Sequence, residues 1–283
     1  MHANSLRVAT QNIWRFHGEW QARRAVLREG FRALRPDIVG FQEAIVTDDY
    51  EQPRDLLGAD FHFAHQQERE YDGSCVSIAS RWPIGEVREL DGRGETRPHR
   101  HPFNCGTLAA EIHAPEPLGR LLFVNHIPSW QQDFELEREI QTVAAARLVE
   151  EMLDDRPAHV ILAGDFDAEP DAASIRFLAG LQSLGATSVR YRDAWASTHP
   201  GDQGHTFSPE NPMTTTGEGG DYALELGRRI DYIFVRCSSH GPTLDIRACD
   251  RLFDEPVDGV WASDHYGVTA DLSATLPDGR PVP

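Results

Sequence analysis

The chain has 283 residues, 40% of them hydrophobic, with 45 acidic against 27 basic side chains and a formal charge of −18. That length and composition can bury a large core, as one α/β domain or as two small ones, and no apolar run reaches the roughly 18 residues of a membrane span. The charge disfavours a sequence-tolerant nuclease, because affinity for nucleic acid comes largely from cations set against phosphates, although a bound metal can neutralise an acidic site locally.

Residues 6–14 read as a buried strand, followed by an amphipathic helix over about residues 19–34 with Trp20, Leu27, Phe31 and Leu34 on one face. Pro36 stops that helix, and Ile38, Val39 and Phe41 begin a short strand that ends at Gln42 and Glu43. Further strands are expected at residues 61–64, 75–80, 84–90, 107–113 and 121–125, then a long helix over 135–153 and a strand over 159–163. Past Asp171 come a short helix, a Gly/Pro/Thr-rich stretch over 200–220 and strands at 230–235 and 266–272. Residues 206–220 read as loop, either facing the substrate or simply on the surface. No internal repeat is evident, motifs of related chemistry run from Asn12 to His265, and a single domain over residues 1–276 with a disordered tail over 277–283 is expected.

All 27 basic side chains are arginine, so no lysine can serve as nucleophile or base, and any cationic phosphate clamp must be Arg, protonated His or metal. Cys75, Cys105, Cys237 and Cys249 are scattered without the two-residue spacing of thiolate metal sites or redox pairs, so free thiols are expected. Residues 1–7 hold no apolar signal region. The expected location is the cytoplasm, or outside the cell if a signal segment was removed.

Five polar clusters each follow an apolar run: Gln11 with Asn12, Gln42 with Glu43, Asn125 with His126, residues 164–170, and residues 263–265. Taken singly, each has a plain reading as a turn, a cap or a structural histidine. Strand ends gather at sheet edges, however, and five such clusters together point to one shared site. Asn12, Glu43 and Asp264 offer the oxygen ligands that hard cations prefer, which makes Mg²⁺ or Mn²⁺ the expected cofactor and Ca²⁺ a third candidate. Asp165 and Asp167, two apart on extended chain, can hold a water nucleophile or a second metal. His265 needs a carboxylate partner to act as a cationic phosphate ligand or acid, and Asp231 is the candidate. Neither a Gly-x-Ser-x-Gly elbow nor a phosphate-binding P-loop is present.

With these residues in place, the chain resembles the endonuclease/exonuclease/phosphatase superfamily, which includes deoxyribonuclease I, abasic-site endonucleases, neutral sphingomyelinases and inositol polyphosphate phosphatases. Seven segments carry the resemblance in order: residues 10–14, 36–43, 80–84, 125–126, 164–170, 229–233 and 263–266, of which Gly164-Asp165-Phe166 and Ser263-Asp264-His265 are the most telling. The resemblance implies a four-layer α/β/β/α sandwich of two mixed sheets flanked by helices, with the site at one sheet edge. It implies metal binding by Asn12 and Glu43 with help from Asp264, phosphate contact by His126, water activation by Asp165, an Asp231–His265 pair, and a place for Arg81 beside the site. Many members carry Asn where this chain has Asp167, which leaves the metal count open.

The implied chemistry is metal-dependent hydrolysis of a phosphate ester. The acidic charge favours a small-molecule or lipid-headgroup ester over nucleic acid, and a non-catalytic phosphate-binding protein is the third reading. Trp14, Trp130 and Trp261 lie near proposed site residues and can wall a pocket for a ring or a choline-like group, or else pack the edge of the core. Residues 97–101 form the one dense cationic stretch, a possible steering element or a solvated loop. A monomer is expected.

Overall fold

The computed structural model describes residues 4–92, 106–156, 158–216, 226–276 and 280. Its elements run β1 (Ser5–Asn12), α1 (Trp20–Leu34), β2 (Ile38–Ile45), α2 (Gln52–Leu57), β3 (His62–His65), β4 (Ser74–Ser80), β5 (Ile84–Asp91), β6 (Gly106–His113) and β7 (Arg120–Ile127). They continue through α3 (Glu135–Leu153), β8 (His159–Asp165), α4 (Ala173–Leu178), β9 (Tyr191–Asp193), α5 (Ala194–Thr198), α6 (Met213–Thr216), β10 (Asp231–Ser238), β11 (Gly241–Pro242), β12 (Asp245–Leu252) and β13 (Gly267–Ser273).

The strands form two mixed sheets. One has the order β12-β13-β1-β2-β4-β3, the other β11-β10-β8-β7-β6-β5, with β9 on β10. β1 runs parallel to β2 and β7 parallel to β8, while the remaining pairs are antiparallel. Successive side chains of a strand point to opposite faces. In β7, Leu121 and Phe123 therefore enter the core between the sheets beside Val8, Ile38 and Ile78 of the other sheet. Leu122 and Val124 face outward onto Val149 and Met152 of α3. On the other sheet, Ala9, Val39 and Phe41 receive Trp20, Leu27 and Phe31 of α1. These contacts build the four-layer α/β/β/α sandwich.

Most elements fall where periodicity places them, and the departures have physical reasons. β1 stops at Asn12 because Trp14 and Arg15 take left-handed backbone angles, φ 53° and 48°. β2 runs past Glu43 to Ile45 through a register shift between Phe41 and Ala44. β12 is unexpected from the sequence: it is a half-buried edge strand of charged residues, a common defence of open sheet edges. Cys75, Cys237 and Cys249 are free thiols. Cys105, the cationic stretch 97–101 and all of the expected tail except Arg280 lie outside the described residues. No helix among the described residues is long and apolar enough to cross a membrane.

Candidate active site

The parallel pair β1/β2 sets Asn12 opposite Gln42, and the parallel pair β7/β8 sets His126 opposite Gly164. β10 runs antiparallel to β8 with Asp231 opposite Asp165. One end of the sandwich thus receives the last residues of four strands and the first residue of a fifth.

Local backbone strain aims the side chains. Glu43 sits at the bulge of β2 with φ 53°, and Asp167 has φ 50°. A bulge turns a side chain that regular pleating would send to another face, and left-handed non-glycine residues collect at functional sites. Gly164 is required by contact: a Cβ there would lie 1.9 Å from the His126 carbonyl oxygen, at φ 150°.

A chain of polar contacts crosses from one sheet to the other. The Asn12 amide donates to Glu43 Oε1 and to Asp165 Oδ2, both at 3.0 Å. Asp165 Oδ2 lies 3.7 Å from His265 Nε2, and His265 Nδ1 lies 3.0 Å from Asp231 Oδ2. Asp264 accepts from Ser263 Oγ, which also donates to the Asn12 carbonyl. Asn12, His126, Asp165, Asp231 and His265 are buried, and Glu43, Asp167 and Asp264 form a partly exposed rim. Asp167 N donates to Asp165 Oδ1 at 3.2 Å.

Burial governs the electrostatics. It pushes Asp165 well above the ordinary carboxylate range, with Asp167 and Asp231 adding to the rise and His265 opposing it. Burial also lifts Asp167 to about 6 against the pull of His265 and two arginines. Asp264 reaches about 6 by burial, with His265 opposing and Glu43 adding. At His265 burial disfavours the charge, yet Asp231, Asp165 and Asp264 outweigh it and hold the imidazole well above its usual value. Among the described residues His126 has no such partner, and burial drops it to about 3, so it is neutral. Thr107 Oγ1 meets His126 Nδ1 at 2.8 Å, while His126 Nε2 and Asp231 Oδ1 are buried without a hydrogen-bond partner among the described residues.

Two groups of side chains suit a cation differently. Asp165, Asp231 and His265 bring ligand atoms within 4.8 Å of one another, but an imidazolium between two carboxylates already supplies the positive charge and has no free lone pair. Asn12, Glu43 and Asp264 offer oxygen donors only, the two carboxylates on the partly exposed rim and the amide buried beside them, which fits a hard divalent ion.

Arg81 is not brought to this cluster. Its Nε donates to the Pro36 carbonyl and its guanidinium covers Phe61. β4 runs antiparallel to β2, so Arg81 follows Ser80 at the Ile38 end, roughly 20 Å along the strand from Glu43 at about 3.3 Å per residue. Trp130 is 37% exposed on the segment after β7. Trp261 stacks on Tyr266 and joins Trp14, His17, Arg23 and Met213 around a cavity of about 480 Å³, which Trp130 does not line.

Other residues of the site carried no sequence signal. Thr206 Oγ1 accepts from the N–H groups of Ile230 and Asp231, and Phe207 bridges to Arg228 and His265 with its ring 5.0 Å from the imidazole. The start of the stretch read as loop is therefore tied into the site. Arg15 pairs with Glu43 at 3.4 Å. Arg23 is fully buried behind the Asn12 loop.

TDP2 of D. rerio, in a structure with a single-strand DNA product, superposes with a TM-score of 0.72 at 19% identity over 95% of this chain and 99% of that one. The human Nocturnin catalytic domain with bound sulfate gives 0.68 at 16% identity over 96% and 95%. An endonuclease/exonuclease/phosphatase from Bacteroides vulgatus gives 0.70 at 18% identity over 95% and 98%. No curated protein sequence matches the chain. The profile of the Endonuclease/Exonuclease/phosphatase family matches residues 9–265. The chain belongs to that family, and with it to the metal-dependent hydrolases of phosphoric ester bonds.

Proposed function

We propose that residues 1–276 act as a single domain, and as a monomer, to hydrolyse a small-molecule or lipid-headgroup phosphate ester by attack of water at phosphorus. The observation that carries this reading is the unbroken path from Glu43 through Asn12 and Asp165 to His265 and Asp231.

A divalent cation, Mg²⁺ or Mn²⁺, held by Asn12, Glu43 and Asp264 would polarise the phosphoryl group and stabilise the leaving oxygen. Asp165, steadied by the Asp167 N–H, takes the proton from the attacking water, and the Asp167 carboxylate helps to orient that water. His265 is cationic at rest between Asp231 and Asp165, so it faces the phosphate as a positive charge until it gives a proton to the departing alkoxide and becomes neutral. Water's oxygen bonds to phosphorus, the P–O ester bond breaks, and the two products leave as phosphate and alcohol. His126 stays neutral; with Nδ1 accepting from the Thr107 hydroxyl, its Nε2–H is left to donate to a phosphoryl oxygen. Trp261, with Trp14, walls the cavity for the apolar part of the substrate, and Trp130 offers an aromatic face on the His126 side. Arg81 has no part here, because it lies at the far end of β2.

A nuclease is the second reading, favoured by the DNA product bound to the D. rerio relative and opposed by the charge of −18. Asp165→Ala and His265→Ala should each lower metal-dependent hydrolysis of an aryl phosphate ester by about 100-fold or more, with the circular dichroism melt preserved. Near-wild-type turnover in both variants refutes the reading. A panel of monoesters, diesters, sphingomyelin and DNA with Mg²⁺, Mn²⁺, Ca²⁺ or chelator separates the substrate classes.

A further inference from the structure

Arg23 lies on the apolar stripe of α1, three residues after Trp20 and four before Leu27, and has no exposed surface. Every N–H of its guanidinium meets a backbone carbonyl. Nε donates to His17 at 3.0 Å, Nη1 to Ile13 at 2.9 Å and Ala262 at 2.8 Å, and Nη2 to Trp14 at 3.1 Å and Arg15 at 3.0 Å. The group is centred 5.2 Å from the Trp14 ring and 5.3 Å from the Trp20 ring.

This is an expensive way to dock a helix. Leucine would fill the space between two indoles without the desolvation of a cation, and lysine has neither the donors nor the planar fork to reach five carbonyls. What the arginine does that they cannot is join two remote pieces of chain. Ile13 immediately follows Asn12, Ala262 stands two residues before Asp264, and Nη1 bonds both carbonyls. Nη2 holds Trp14 and Arg15, the two left-handed residues whose turn lets the Trp14 N–H reach Asn12 Oδ1 and Arg15 reach Glu43. A second positive charge behind the carboxylates would by itself repel a metal ion. Any net benefit to a bound cation must therefore come from the fixed geometry.

We propose that Arg23 is the positioning residue of the cation site, clamping the chain after Asn12 to the chain before Asp264 so that Asn12, Glu43 and Asp264 converge. The proposal rests on the reading of those three residues as the cation ligands.

The test is Mn²⁺ affinity, by calorimetry and by electron paramagnetic resonance at 15 °C, in wild type, Arg23→Lys, Arg23→Gln and Arg23→Ala, with Arg120→Gln as the control. Arg120 bonds Glu111 and the Met152 carbonyl at the start of β7, the end of that strand away from His126. The Arg23 variants should bind Mn²⁺ about 10- to 100-fold more weakly, the range typical of residues that support metal ligands. Arg120→Gln should lose thermal stability with unchanged Mn²⁺ affinity. Methylguanidinium, entering by the cavity that Arg23 lines, should restore affinity to Arg23→Ala and to no other variant. Unchanged Mn²⁺ binding in folded Arg23→Lys and Arg23→Gln overturns the proposal. So does failure of every Arg23 variant to fold even with methylguanidinium, since that assigns the residue to folding alone. Wild-type protein that binds no Mn²⁺ removes the cation-site reading itself, and the clamp with it.

Discussion

Asp167 and Asp264 are each lifted from the ordinary 3.8 to about 6 by burial, so the folded protein holds these protons more tightly than the unfolded chain does. Such groups cost stability as pH rises through the interval from about 4 to about 6. His265 acts in the same direction: its raised value adds stability that is complete below its ordinary 6.5 and is lost as pH climbs through the folded value. Chelated protein should therefore melt at a higher temperature at pH 5 than at pH 8. Asp264→Asn should stabilise chelated protein at pH 8 by about 1 kcal/mol after allowing for solvent screening at its partly exposed edge, read as a higher melting temperature, while abolishing hydrolysis. A lower melting temperature for Asp264→Asn at pH 8 would show that its carboxylate is not under the strain described. Asn12, Glu43, Asp165, Asp231, Asp264 and His265 were legible because each ends or begins an apolar run. Arg23 was not, because its partners are carbonyls of residues as distant as Ala262 and no side-chain pattern encodes them.

At the level of elements, the site depends on departures from regularity more than on the strands themselves. β7 and β8 touch so closely at His126 and Gly164 that Gly164→Ala, with its Cβ 1.9 Å from a carbonyl oxygen, should destabilise the fold by about 3 kcal/mol or more. A urea titration measures this, and a loss under about 1 kcal/mol would mean the strands separate easily. Among the long elements, α1 was readable by its apolar stripe, and β1, β7 and β8, buried on both faces over most of their length, as continuous apolar runs. β12 was not readable: its edge position leaves charged and apolar residues both half-buried, which erases the alternation. Segment identity alone also placed Arg81 beside the site. The antiparallel pairing of β4 with β2, which sends it to the other end, appears only once strand direction is known.

For the whole molecule, the net charge of −18 makes ionic strength a diagnostic. Repulsion between an acidic enzyme and an oligonucleotide is screened by salt, with a Debye length of about 10 Å at 0.1 M. Any turnover of single-stranded DNA should therefore keep or lower its KM as NaCl rises from 10 to 200 mM, where a basic nuclease would weaken. A KM for DNA that climbs steeply with salt would reveal a local cationic track and favour the nuclease reading. The pairing of β1 with β13, Ser5 opposite Ser273, places the two strands furthest apart in the chain side by side within one sheet. Asn12 enters with the first of them, whereas Asp264 and His265 directly precede the last. A chain still on the ribosome that lacks its last strand accordingly owns six of the eight proposed site residues and an open seam, and on the proposed assignment hydrolysis begins only when that strand closes it.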